Sequence, residues 1–464
     1  MVIKVKTERW DEGLPLGNGK TGSIVYGSSP LKITVDRTDL WDTRPNETTL
    51  EKGFTFKNLE KLSLSGDESD WAERARLFEK IFSGTPYPSK ITAGRLELEF
   101  YPKAQNVHYS LNTANALVTV YDGDEKIADI FTDYVTLVGV IRTYRKCDFS
   151  FHIPAYLSGE ATDGSGIGND KGVTLGYPKA ADMHDGYYKW YEQPTHTDYA
   201  FGVVALEVGG DIFYTLATTD DASDYVSYGK NLLKEAAKKG YENLFSDHKA
   251  AWRNYWNKSS VVTGDPLIDG VYEKSTYLFG CCSRKGYYPM PLQGVWTADN
   301  DALPPWKGDY HHDTNTELSY QAYLKANRLE EGTVFIEYLW RLKPAYQKFA
   351  REFFGVKGLL IPSCSTLDGK PMGGWAHYSL SPTMSIWAAQ SFDEYYLYTG
   401  DEKFLKNRAY PFFKEIGEAI KGLLREKNGK LYLPLSSSPE IYDNTRKAYL
   451  EPNSNFDLAL LIYL

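Results

Sequence analysis

The chain has 464 residues, enough for about three domains, and its 42% hydrophobic and 24% charged residues give the balance of an ordinary soluble globular protein. A net charge of −9 with no basic run argues against a nucleic-acid partner, and no apolar stretch approaches the roughly 18 residues of a membrane span. Aromatic residues make up 15%, with 36 Tyr and 11 Trp, which fits either carbohydrate handling or a large β-rich core.

The amino terminus, MVIKVKTERWDEG, lacks the apolar region of a signal peptide. The four cysteines, Cys147, Cys281, Cys282 and Cys364, form no CxxC and no zinc spacing, so a reduced, cytoplasmic setting is the simpler expectation. Gly17, Gly19 and Gly22 match GxGxxG, but strand-like SIVYG and LKITVDR follow where a helix would be needed, so these glycines are expected to serve strand turns. SDWAERARLFEKIF (69–82) predicts a short helix with Ser69 as N-cap. From Arg95 onward, strand patterns such as RLELEFY and ALVTVYD recur about every ten residues, the spacing of a β-sandwich. Residues 158–198 read as a long loop or hairpin excursion. At about residue 228 the period changes from two to helical, which predicts a helical linker over 228–262 between a β-domain at 1–227 and a helical domain at 263–464. Helices are expected at about 266–283, 315–328, 332–354, 381–399, 402–425 and 453–464. Helix after helix with function-rich loops suggests an α/α toroid, and six helices are about half of a twelve-helix barrel. The final SNFDLALLIYL is apolar without a C-cap signal and reads as the middle of a domain. A further polypeptide segment or a symmetry mate is expected to complete the ring.

The densest stretch is LQGVWTADNDALPPWKGDYHHDTNTE, 292–317. Trp296 and Trp306 offer flat apolar surfaces, which are costly on a loop unless something covers them. Asp313, Asn315 and Glu317 alternate at a loop-to-helix junction. Rings stack on a pyranose, amides bind hydroxyls and carboxylates move protons, so the mixture suits a sugar site. It equally suits a buried loop with satisfied polar groups. Asp313 is also placed to cap the helix at 315. His311 and His312 are adjacent, and adjacent histidines rarely converge on one ion, so neither a metal nor another cofactor is expected.

Several motifs agree with one family. WDEGLPLGNGKTGSIVYG resembles the opening motif of glycoside hydrolase family 95, the inverting α-L-fucosidases and α-L-galactosidases. The 292–317 stretch is similar to that family's central motif, GGWAHYS to its Gly-Trp plus His loop, YTGDEKFLKNRAYPFFKEI to the helix pair that follows, and LPLSSSPEIYDN to its Ser-Pro-Glu loop. The order matches along nearly the whole chain. The resemblance implies an N-terminal β-sandwich, a helical linker and an (α/α)6 barrel, of which about half is present, before a C-terminal β-domain that this chain does not match. It implies Glu440 as general acid and Asn315 as one of two asparagines that hold the attacking water. The second asparagine corresponds to Asp313, a departure that allows a carboxylate to take the proton directly and that equally fits a different substrate or a changed mechanism. Glu317 matches a glutamate near the substrate, His377 matches the loop histidine, and Trp296, Trp306 and Trp375 are candidate stacking surfaces.

An inverting glycosidase needs a protonated acid at the leaving oxygen and a base across the ring, with room for water between them. Burial among aromatics is expected to raise the pKa of Glu440, and hydrogen bonds from Asn315 or the helix N-terminus to keep Asp313 ionised. The expected substrate is an oligosaccharide or other glycoside. A disaccharide phosphorylase of similar architecture is the catalytic alternative; it needs an anion site, for which Lys307 is the cation near Asp313. An inactive sugar-binding fragment is the third reading.

Overall fold

Alternating apolar and polar residues form strands where one face is covered. The computed structural model describes residues 1–83, 85–159, 173–450 and 453–464. Within it, Arg95–Phe100 follows the rule: Leu96, Leu98 and Phe100 are buried, and Arg95, Glu97 and Glu99 are partly exposed. Among the described residues, a nine-stranded antiparallel sheet runs in the order Val2–Val5, Val107–Asn112, Leu117–Asp122, Glu125–Thr132, Gly139–Thr143, Asp211–Thr218, Ala200–Val208, Tyr188–Pro194 and Ala181–Asp185. A second sheet runs Cys147–His152, Arg95–Phe100, Leu31–Thr34, Thr21–Gly27 and Leu14–Gly17, with Asp36–Arg37 paired to Thr21–Gly27. The two form a sandwich in which the Tyr214 hydroxyl meets Ser23 Oγ at 2.9 Å. The glycine pattern near residue 19 is a strand turn. Gly19 has φ +87°, and Asn18 Oδ1 accepts from the backbone N–H of Lys20 (3.1 Å) and Thr21 (2.9 Å). The excursion expected at 158–198 includes the hairpin Ala181–Asp185 with Tyr188–Pro194, which extends the larger sheet; its residues 160–172 lie outside the described residues.

Two helices follow, Tyr225–Lys239 and Tyr241–Trp256. Asp224 caps the first through the Ser227 N–H (2.9 Å), and Gly240, at φ +76°, ends it. Leu233, Ala236, Tyr241 and Leu244 pack onto Phe131, Val140, Trp190, Val204 and Phe213 of the nine-stranded sheet. The stretch expected as a linker is thus a helical layer held on that sheet. Burying one such leucine contributes about 1.5–3 kcal/mol.

The chain divides into two compact units, and the second is discontinuous in sequence. The first comprises Met1–Leu40, Ile91–Trp306 and Ala326–Glu331; the second comprises Trp41–Lys90, Lys307–Lys325 and Gly332–Leu464. Residues 41–90, which the sequence reading includes in the β-domain, cluster with the helical unit. Its helix Glu68–Arg74 is capped by Asp67, which accepts from the Ser69 N–H (2.7 Å), two residues before the expected cap. The helix continues through a widened turn, Ala75–Glu79, into Lys80–Ser83. The aromatic core of this unit joins Phe54, Phe56 and Phe78 to Phe353 and Phe354, with Phe54 and Phe353 at 5.0 Å. Later helices are Asn315–Gln321, Leu329–Arg341, Lys343–Phe349, Met384–Thr399, Tyr410–Leu423 and Asn455–Tyr463. Among the described residues, no helix is long and apolar enough to cross a membrane.

Candidate active site

The central stretch is organised by a two-stranded ladder. Tyr310–His311 pairs with Cys364–Ser365, and His311 stands opposite Cys364. Side chains two apart on a strand share a face, so Asp309 joins His311. Their atoms meet: His311 Nδ1 lies 3.1 Å from Asp309 Oδ2 and 3.5 Å from Cys364 Sγ. All three residues are buried. The two histidines diverge, as His312 Nδ1 lies instead 3.5 Å from Glu317 Oε1.

Asp313 follows in the turn and is 7% exposed. Its Oδ1 lies 3.4 Å from His311 Nε2. It is not the helix cap: Thr314 occupies that position, and no side chain caps the first turn. Burial above all pushes the Asp313 carboxyl upward, with Glu317 and Asp309 adding to the rise and His311 opposing it. That is the reverse of the expected hydrogen-bonded, readily ionised carboxylate. Asn315 is exposed at the start of the helix. The Glu317 carboxylate is nearly buried, and neither oxygen has a hydrogen-bond partner.

Glu440 sits at the end of a Ser-rich loop whose serines are structural pins. Ser436 Oγ donates to Asp457 Oδ2 (2.6 Å), and Ser437 Oγ donates to the His377 carbonyl (2.8 Å). Ser454 Oγ donates to the Ser437 carbonyl (2.7 Å) and also caps the helix Asn455–Tyr463. Beyond the pins the backbone turns left-handed at Glu440, Tyr442, Asp443 and Asn444, with φ between +49° and +56°. Each such residue costs roughly 1–2 kcal/mol. Backbone strain of this kind clusters at functional sites. Glu440 is exposed rather than buried among aromatics as expected.

It lines a cavity of about 600 Å³ together with Trp375, Trp71, Arg74, Ala75, Glu79, Asp443 and Asn444. Trp375, at φ +46°, packs on Phe82 (4.7 Å), His311 (5.9 Å) and Tyr378 (6.1 Å). Tyr378 feels the charges of both Asp313 and Glu440. Burial first, then Cys364 and these carboxylates, push its phenol well up. Trp375 thus touches both the cavity that Glu440 lines and the ladder that holds His311. His377 is not among the residues that line the cavity but contacts Arg74, which is. Its Nδ1 accepts from Arg74 Nη2 (3.2 Å), and its ring stacks on Tyr449 at 4.2 Å.

The helix at 68–79 supplies a wall that sequence reasoning missed. Trp71, Arg74, Ala75 and Glu79 recur at helical spacing, and the polar residues on this otherwise packed face are the signal that was available. Arg74 is fully engaged: Nε donates to Ser63 Oγ (3.0 Å), Nη1 to Glu79 Oε1 (2.8 Å) and Nη2 to the Tyr449 hydroxyl (2.9 Å). Lys307 is engaged too. Its ammonium donates to the Thr85 carbonyl (2.6 Å) and the Phe82 carbonyl, and so is not presented to an anion. Trp296 and Trp306 belong to the other compact unit. There the Trp296 indole N–H donates to the Leu16 carbonyl (2.8 Å), and the ring fills the space beside Gly22, a packing role.

Residues 3–226 match the N-terminal domain of glycosyl hydrolase family 65, and residues 221–464, more than half of the chain, match the glycosyl hydrolase family 95 catalytic domain. Alpha-L-fucosidase 2 of Arabidopsis thaliana is 22% identical over 98% of this chain, which spans 63% of that protein's length. Probable alpha-fucosidase A of Aspergillus niger is 26% identical over 51% of this chain and 34% of its own. A solved structure described as a kojibiose phosphorylase from human microbiome superposes with a TM-score of 0.60 at 11% identity, covering 92% of this chain and 60% of that one. With its N-terminal β-sandwich, its helical layer and part of an (α/α)6 toroid, the chain belongs to glycosyl hydrolase family 95.

Proposed function

We propose that this chain serves an inverting, exo-acting glycosidase that releases a terminal α-L-fucosyl or α-L-galactosyl-like residue from an oligosaccharide or glycoside. Glu440 is the general acid, and Asp313 with Asn315 holds and activates the water. Trp375 provides a stacking surface, and Glu317 and His377 support the sugar side. The observation that supports the reading is that Trp375 lines one cavity with Glu440 and packs on His311, whose imidazole lies beside Asp313, while both carboxylates act on the Tyr378 phenol. Trp375 and Glu440 line the same cavity, so a sugar stacked on Trp375 would lie beside the Glu440 carboxyl. Asp313 is held near an imidazole that can share its proton. The engagement of Lys307 by carbonyl oxygens favours water over phosphate as the attacking group.

The test compares leaving groups. Glu440→Gln should lower hydrolysis of a saccharide linkage by about 10²–10⁴-fold and that of an aryl glycoside with a good leaving group far less. Equal losses on both substrates would remove Glu440 from the acid role. Running the same assays with inorganic phosphate separates the phosphorylase alternative, which would yield a sugar 1-phosphate.

A further inference from the structure

We propose that Asp309, His311 and Cys364 form a binding site for one zinc-like divalent transition-metal ion. One carboxylate oxygen, one imidazole nitrogen and one sulfur lie within 4.8 Å of one another, and all three residues are buried. The ladder register explains the convergence: His311 faces Cys364 across the pair, and Asp309 shares its face two residues back. The separations from His311 Nδ1, 3.1 Å to oxygen and 3.5 Å to sulfur, are near the edges of a tetrahedron with bonds of about 2.0–2.3 Å. Nδ1 carries at most one proton and cannot point it along a line at both Asp309 and Cys364.

Two further features fit a metal. Ligating histidines commonly donate their second ring N–H to a carboxylate, which fixes the tautomer. Here Asp313 Oδ1, otherwise without a hydrogen-bond partner, lies 3.4 Å from His311 Nε2. The site is also close to the 600 Å³ cavity, because the half-buried Trp375 that lines it packs directly on His311. The donor set of one thiolate, one imidazole and one carboxylate suits zinc rather than magnesium or calcium. On binding, the ion takes the place of the Cys364 thiol proton, which leaves to solvent. The fourth position goes to water or to the second oxygen of Asp309. Binding would hold His311 as an N–H donor toward Asp313.

The experiment uses the full chain, stripped with a chelator and titrated with Co²⁺, then with Zn²⁺ in competition. One equivalent of Co²⁺ should bind with a thiolate-to-cobalt charge-transfer band that Zn²⁺ abolishes. Cys364→Ser should remove the band, and Asp313→Asn should weaken binding by about 10- to 100-fold, whereas a Cys281→Ser, Cys282→Ser double variant should keep both band and affinity. Absence of the band in excess Co²⁺, or its survival in Cys364→Ser, overturns the proposal. X-ray absorption at the zinc edge of the wild-type protein makes the test independent of any variant's folding. One sulfur in the ligand shell is expected, and none or two would refute the site.

Discussion

Lowering the pH should destabilise this protein through one histidine. Burial, and then the adjacent Arg74 guanidinium, hold the His377 pKa down at about 3, against an ordinary 6.5; a backbone contact with Thr445 opposes them weakly. The folded state therefore refuses a proton that the unfolded chain takes up below about pH 6.5. Stability from this residue is complete above that pH and declines as the pH falls, levelling near pH 3. At 1.36 kcal/mol per unit, the depression amounts to about 5 kcal/mol in full, of which about 2 kcal/mol is lost between pH 6.5 and pH 5. His377→Gln keeps an acceptor for Arg74 and removes the titration. Urea unfolding at pH 7.5 and pH 5 should show the wild type losing about 2 kcal/mol more than the variant between the two. Losses equal within about 0.5 kcal/mol, the usual margin of additivity, would refute the argument and place the acid sensitivity elsewhere.

Three further outcomes follow from particular positions. If Asp313 is the base, it must be ionised, so kcat/KM should fall as the pH drops through its raised pKa. The acid limb should then sit above pH 3.8 and move down in Glu317→Gln, which removes one of the charges raising it; a limb at or below 3.8 contradicts the assignment. In the sandwich, a Cβ added at Gly139 would lie 2.0 Å from Tyr214 Cζ, so Gly139→Ala should cost at least about 1–3 kcal/mol in thermal or urea unfolding. Gly66→Ala, with nothing within 4 Å, should change stability by less than about 0.5 kcal/mol.

The strand Arg95–Phe100 was legible because RLELEF buries every second residue, a signal contained within six positions. The Ser-Pro-Glu loop was legible by resemblance, although its serines act through partners that spacing cannot reveal: Asp457 lies 21 positions beyond Ser436. Caps were read less well. Asp67 and Thr314 take the places expected for Ser69 and Asp313, because several short polar residues compete at each helix start and the backbone entry angle decides among them. A tryptophan on a loop carries the same composition signal whether it stacks or packs, and the bond from the Trp296 indole to the Leu16 carbonyl is not legible in the sequence. The pairing of His311 with Cys364 depends on a two-residue ladder between segments 53 positions apart, too short to leave a periodicity. The cavity wall at Trp71, Arg74 and Glu79 was hidden because that helix was assigned with the sandwich that surrounds it in sequence.

The return of residues 41–90 to the helical unit has a consequence for how the chain is made. Arg74 must find Tyr449, 375 positions later, and Phe54 must find Phe353. At about 5–20 residues per second of synthesis, the Arg74 contact waits roughly 20–75 s for its partner to emerge. The last strand of the sandwich, Asp211–Thr218, is made well before then. Until Phe353 and Phe354 are made, Phe54, Phe56 and Phe78 lack the aromatic faces they finally cover. Their excursion is therefore the part of the nascent chain most in need of shielding by a chaperone.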